Sequence, residues 1–108
     1  MTYSEPAKRL IEAAENRVAT TALTDSDPNL NVASAYDIQA EVVQARLDRG
    51  HVVVGAKLGL TSIAKQKQMN VSEPLYGWLT SDMQIDTEAS LRCNDFIQPR
   101  CEPELPFY

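Results

Sequence analysis

The sequence predicts an α+β fold, on three observations. Apolar residues recur at helical spacing through the first fifty positions. A run of three valines then changes the period, and the remainder of the chain reads as short strands and turns around one short helix. At 108 residues the chain has the length of one domain. A first helix is predicted over residues 4–20. Ser4 is placed to cap it, Glu5 suits the positive end of the dipole and Pro6 fits the first turn, while Leu10, Ile11, Ala14 and Val18 make its apolar stripe. Residues 20–31, rich in Thr, Asp, Ser, Pro and Asn, form a long loop. A second helix is predicted over residues 34–49, capped by Ser34, with Ala35, Ile38, Val42 and Ala45 on one face and Gly50 as its stop.

Residues 51–58 carry Val52, Val53 and Val54 in succession, the mark of a buried strand. The chain then turns through Gly59 to Ser62, and Ser62 is placed to cap a short helix reaching about Met69. A turn at Pro74 to Gly77 leads to a short strand at residues 78–80, with further strand-like pieces at 83–86 and 96–97. Cys101 to Tyr108 reads as the entry to another strand, which makes the chain look like one missing its second half.

Composition narrows the function. Ten Lys and Arg against fifteen Asp and Glu leave a net charge of −5 without a basic stripe, which argues against a nucleic-acid backbone as partner. The longest apolar run, Val52 to Ala56, falls far short of the roughly 20 residues a membrane helix needs. Cys93 and Cys101 do not form a CxxC pair, so a soluble, cytoplasmic protein with reduced thiols is expected.

A few residues are able to carry chemistry. In an extended segment Glu102 and Glu104 point to one face, and two converging carboxylates suit a hard ion such as Mg²⁺ or Mn²⁺. On spacing alone the plainer reading, two solvated carboxylates on a loop, prevails. Lys57 leaves the valine-rich strand at its end, where it would hold a carboxylate or transfer a proton; on position alone the plainer reading, a surface lysine at a strand end, prevails. Thr61 and Ser62 offer hydroxyls beside a helix start, His51 reads as structural, and Tyr76 and Trp78 read as core aromatics.

Three ordered motifs resemble one family. GAKLGLTS at residues 55–62 resembles the GyKiGLTS segment of the 2-keto-4-pentenoate hydratase and 4-oxalocrotonate decarboxylase family, within the fumarylacetoacetate hydrolase superfamily. KQMNVSEPLYGWLTSDM at residues 67–83 resembles its Q-x-G-V-x-x-P-x-[FY]-G stretch, and IQPRCEPEL at 97–105 its I-x-P-[RK]-x-E-x-E segment. AYDIQ at residues 35–39 extends the likeness. The resemblance implies that residues 1–50 are a helical N-terminal segment. It implies that residues 51–108 are the first strands and turns of an incomplete, fumarylacetoacetate-hydrolase-like catalytic domain, the two forming a single structural unit.

Carried over residue by residue, the resemblance makes Glu102 and Glu104 two carboxylate ligands of Mg²⁺ or Mn²⁺ and Lys57 the active-site lysine. Leu60, Ser62 and Leu75 then line the substrate pocket. It implies a small 2-oxo acid as substrate, with a homo-oligomer or a complex with a related hydratase or decarboxylase subunit. The implied reaction is metal-dependent decarboxylation of 2-oxo-3-hexenedioate (4-oxalocrotonate) to 2-hydroxypenta-2,4-dienoate, in meta-cleavage degradation of aromatic compounds. Hydration of 2-hydroxypenta-2,4-dienoate is the alternative. Hydratases carry an acidic residue where this chain has Leu75, which favours decarboxylation. The third metal carboxylate belongs to a later part of the family sequence, so the chain alone is expected to be inactive. A reading of another class, an inactive remnant or an interaction module pairing with a related subunit, stays open. Two departures stand out: Asn70 replaces a family Gly that needs the left-handed conformation, and Pro106 replaces a small residue.

Overall fold

A computed structural model describes residues 2–107; Tyr108, part of the expected terminal strand, lies outside the described residues. Helices α1 (Glu5–Asn16), α2 (Leu23–Ser26) and α3 (Val32–Asp48) come first. Strand β1 (Val53–Gly59), helix α4 (Ile63–Gln68) and strand β2 (Leu75–Thr80) come next, with single 3₁₀ turns at Ser81–Met83 and Cys93–Asp95. The mixed helix-and-strand class is as expected. Several boundaries are not.

Helix α1 ends four residues early because Arg17 adopts a left-handed conformation (φ 56°). The N–H of Val18 then donates to the Ala13 carbonyl at 3.0 Å, closing the last turn and leaving Val18 outside the stripe, 60% exposed. Ser4 precedes α1 but does not cap it with its side chain. Its hydroxyl and backbone N–H both donate to the Glu41 carboxylate, at 2.6 and 2.8 Å, tying the start of α1 to α3. The long loop contains the single turn α2. Helix α3 starts at Val32, not at residue 34, because Asn31 is the cap: its side-chain oxygen accepts the Ser34 N–H at 2.8 Å. Gly50 (φ 94°) stops α3 as predicted, with the N–H of His51 bonded to the Arg46 carbonyl at 3.2 Å.

The buried apolar residues are Ala7 of α1 and Ile38 and Ala45 of α3, so the helical layer holds the apolar core among the described residues. The valine strand departs from expectation. Val52, Val53 and Val54 are 59, 44 and 42% exposed. The reason lies in the sheet, which has two strands, paired antiparallel from Val53 opposite Thr80 to Gly59 opposite Leu75, with an irregularity between Val53 and Gly55. Helix α3 packs along the outer edge of β2: the Tyr76 N–H donates to the Tyr36 hydroxyl at 3.1 Å, and the Gln39 amide donates to the Tyr76 carbonyl at 3.2 Å. An edge so covered cannot take another strand, and a helix at the edge leaves the valines without a covering layer.

Strand β2 begins at Leu75, so Leu75 to Gly77 belong to a strand and not to the expected turn. Pairing with Leu58 and Gly59 of β1 supplies the ladder that the local Pro-Leu-Tyr-Gly signal hides. Residues 83–86, 96–97 and 101–107 form no strand, for they have no hydrogen-bonded neighbour strand among the described residues. Leu105 and Phe107 are 90 and 100% exposed. Tyr76 and Trp78 are not core residues: Tyr76 stacks on Tyr36 with ring centroids 4.4 Å apart and meets Trp78 edge-on at 5.9 Å, on a half-open face. No helix among the described residues is long and apolar enough to cross a membrane.

The Ser4–Glu41 tie gives a pH prediction. The Ser4 hydroxyl, and after it the Ser4 N–H, hold the Glu41 carboxyl below the usual glutamate value. A lowered folded-state pKa adds stability above the unfolded-state value, and that stability is lost as pH falls through the folded-state value. Melting curves from about pH 6 down to about pH 3 should therefore show a smaller acid loss for Glu41→Gln than for the wild type. Equal acid sensitivity would show that the tie is absent in solution.

Candidate functional site

Directly opposite residues of an antiparallel pair share a face. Lys57 opposes Gly77, Gly59 opposes Leu75 and Gly55 opposes Leu79, so these six positions lie on one face of the hairpin. Three are glycines, so backbone is open beside Lys57, with the Leu75 and Leu79 side chains on the same face and Leu79 3.9 Å from a Cβ built on Gly55. A Cβ built on Gly59 would meet nothing within 4 Å, and one on Gly77 would meet the Gln39 amide oxygen at 3.5 Å. The opposite face carries Ala56, Leu58, Tyr76 and Trp78. Tyr36 and Gln39, three residues apart on α3, grip the N–H and the carbonyl of Tyr76 from the aromatic and glycine faces.

The β1–α4 turn presents the next two candidates. Leu60 adopts a left-handed conformation (φ 53°), which a leucine takes only at a steric cost. Its carbonyl accepts the Gln66 side-chain amide at 3.0 Å, a partly buried bond that holds the turn. Ser62 caps α4 as predicted, accepting the Lys65 N–H at 3.1 Å. Asn70 is left-handed (φ 56°), the conformation expected there, and the Val71 N–H closes the α4 end on the Gln66 carbonyl at 2.8 Å. Leu75, on the Lys57 face of the hairpin, also lines a cleft of about 300 Å³ with Val32, Asn70, Val71, Ser72 and Glu73.

Glu102 and Glu104 reach Lys57 although their segment is irregular and not a strand. The Lys57 ammonium donates to Oε1 of Glu104 and lies 3.5 Å from Oε2 of Glu102. The hydrogen bond to Glu104 raises the Lys57 pKa above the lysine norm against a smaller opposing effect of desolvation. The bond to Lys57 holds the Glu104 carboxyl below its usual value. All three side chains are about half or more exposed, so solvent screens the pair and its worth to stability is small.

Mg²⁺ or Mn²⁺ is tested by this donor set. Two carboxylates already share one cation, and their oxygens are the ligands a hard divalent ion takes. The residues fit in kind and in convergence. They supply two ligands; among the described residues no group of three or more His, Cys, Asp or Glu side chains is placed to hold a metal.

Sequence reasoning assigned no role to Gln66, which bonds Leu60 six positions earlier, or to Gln39 and Tyr36, whose partner Tyr76 is 37 and 40 positions away. It also missed a polar cluster below the hairpin, where Asp82 accepts from Arg46 and from the fully buried Thr80 hydroxyl. Desolvation would raise the Asp82 pKa, but the Thr80 bond and the Arg46 charge outweigh it and the net shift is downward. His51, expected to be structural, stands beside this cluster in a cleft of about 240 Å³ lined also by Ile11, Glu15, Val42 and Arg49. No sequence spacing announces residues 36 positions apart.

No family model matches the chain. It is 41% identical over 105 residues to a 4-oxalocrotonate decarboxylase of Pseudomonas sp, covering 97% of this chain and 41% of that one. It is 37% identical over 103 residues to a 2-keto-4-pentenoate hydratase of Paraburkholderia xenovorans (strain LB400), covering 95% and 38%. Among solved structures it resembles the 4-oxalocrotonate decarboxylase from Pseudomonas putida G7 complexed with calcium and acetate, with TM-score 0.69 and 35% identity over 75% of this chain and 33% of that one. The same enzyme complexed with magnesium and adipate gives TM-score 0.64 at 36% identity, over 76% and 33%. The chain spans about two-fifths of the length of the curated relatives it matches. Over nearly its whole length it is a homologue of the 4-oxalocrotonate decarboxylases and 2-keto-4-pentenoate hydratases.

Proposed function

From this homology to decarboxylases and hydratases of 2-oxo acids, we propose that the chain contributes the lysine and two metal-binding carboxylates of a 4-oxalocrotonate decarboxylase site. The observation that carries the reading is the meeting of Lys57 with Glu102 and Glu104, residues more than forty positions apart, beside a floor of glycines. Glu102 and Glu104 would hold Mg²⁺ or Mn²⁺. Such an ion supplies Lewis acidity to the carboxylate and carbonyl oxygens of a 2-oxo acid. Lys57 binds a substrate carboxylate or moves a proton at its Nζ, and the glycine floor admits substrate next to it. Leu60 and Ser62 shape one wall through the turn that Gln66 holds, and Leu75 sets an apolar surface near the departing CO₂.

The fold reading goes with it. Residues 1–50 form the helical N-terminal segment and residues 51–108 the start of a fumarylacetoacetate-hydrolase-like catalytic domain, in a cytoplasmic enzyme that assembles as a homo-oligomer or with a related subunit. Hydration of 2-hydroxypenta-2,4-dienoate is the second reading, favoured by the 37% identity to a hydratase. The test measures CO₂ release from 2-oxo-3-hexenedioate and hydration of the dienoate, with Mg²⁺, Mn²⁺ or a chelator. It uses the 108-residue polypeptide alone and joined to the remaining part of a decarboxylase relative. Metal-dependent CO₂ release by the joined form, lost in Lys57→Met, is the expected result. The polypeptide alone should release none, because two carboxylates leave a hard ion short of ligands. Joined protein that keeps full turnover in Lys57→Met, or in the presence of the chelator, would overturn the reading.

A further inference from the structure

We propose that Lys57 is an internal counter-ion for Glu102 and Glu104, displaced when a divalent cation binds, so that cation binding releases the lysine toward substrate. The inference rests on the reading of the two glutamates as metal ligands. Residues 101–107 form no helix or strand, yet both carboxylates are drawn to β1, and among the described residues Lys57 is the cation that pairs with them. Two like charges two residues apart repel, and an ammonium between them offsets that cost. A hard divalent ion takes the same two carboxylates at about 2.0–2.6 Å, and its double positive charge repels an ammonium held on that pair.

The surroundings of Lys57 permit it to leave. The lysine is 45% exposed and its stem is flexible, while Gly55, Gly59 and Gly77 on the same face carry no side chains of their own, and the neighbours over them are Leu79 near Gly55 and Gln39 near Gly77. Ion and lysine are thus alternative occupants of one pair of carboxylates. The lysine preorganises the pair before the ion arrives and is free for a substrate carboxylate afterwards.

The experiment is calorimetric titration of MgCl₂, at fixed ionic strength, into the 108-residue wild type and its Lys57→Gln, Lys57→Arg and Glu104→Gln variants. Lys57→Gln should bind Mg²⁺ about fivefold tighter, the size of one contact charge interaction in water, because the competitor is gone. Lys57→Arg, which keeps a competing charge, should bind no tighter than the wild type, and Glu104→Gln should bind more weakly. A second measurement needs no variant: amine-reactive labelling of Lys57 in the wild type should accelerate when MgCl₂ is added. Unchanged or weaker binding by Lys57→Gln, or labelling that does not accelerate, overturns the counter-ion role while leaving the glutamates as ligands. Unchanged binding by Glu104→Gln overturns the ligand assignment itself.

Discussion

Ile38→Ala is expected to cost about 2–5 kcal/mol of stability, the range for truncating a buried isoleucine where the cavity does not collapse. For a chain whose total is on the order of 5–15 kcal/mol, that is a large share. The effect is concentrated because few side chains share the load. Among the described residues the buried set is Ala7, Ile38, Ala45 and Thr80, and Ile38 is the largest apolar member. It stands one position before Gln39 and two after Tyr36, the residues that dock α3 on β2, so its loss also loosens the hairpin carrying Lys57. Urea unfolding monitored by circular dichroism measures it. A loss below about 1 kcal/mol would place the main stabilising contacts outside α3.

Leu75→Asp is expected to slow CO₂ release about 10- to 100-fold, corresponding to ~1.4–2.7 kcal/mol of lost transition-state stabilisation. The assay uses the polypeptide joined to the remaining part of a decarboxylase relative, since among the described residues no group of three or more metal-ligating side chains comes together. Leu75 opposes Gly59 and lies diagonally across the hairpin from Lys57 on the same face. A carboxylate at that position would draw the Lys57 ammonium and repel the substrate carboxylate that leaves as CO₂. It would also offer a base for activating water, so the ratio of CO₂ release to hydration should fall. Efficient hydration with Leu75 in place, together with undiminished decarboxylation in the variant, would transfer the assignment to the hydratase branch.

The parts of the fold legible in the sequence are those governed by local chemistry. Gly50 and Asn70 announce left-handed helix ends, and Ser62 announces a cap, because each acts within one turn of its own position. Ser4 shows the limit: its residue type suits a cap, but a carboxylate 37 positions away takes the hydroxyl. The three valines show it again. Their β propensity puts them at the strand, whereas burial depends on what covers the strand, and α3 lies along the β2 edge instead.

The candidate site divides in the same way. The sequence by itself singled out Lys57 and the Glu102–Glu104 pair, because they stand in motifs that resemble those of one family and have residue types that suit a 2-oxo acid and a hard cation. Only the tertiary structure decided that these motifs meet, beside backbone left open at Gly55, Gly59 and Gly77 from two strands, and that the lysine sits between the carboxylates. Spacing within a segment is a local quantity. The approach of β1 to a segment more than forty residues later is set by antiparallel pairing and by opposite charge acting across space, and neither leaves a periodic trace in the chain.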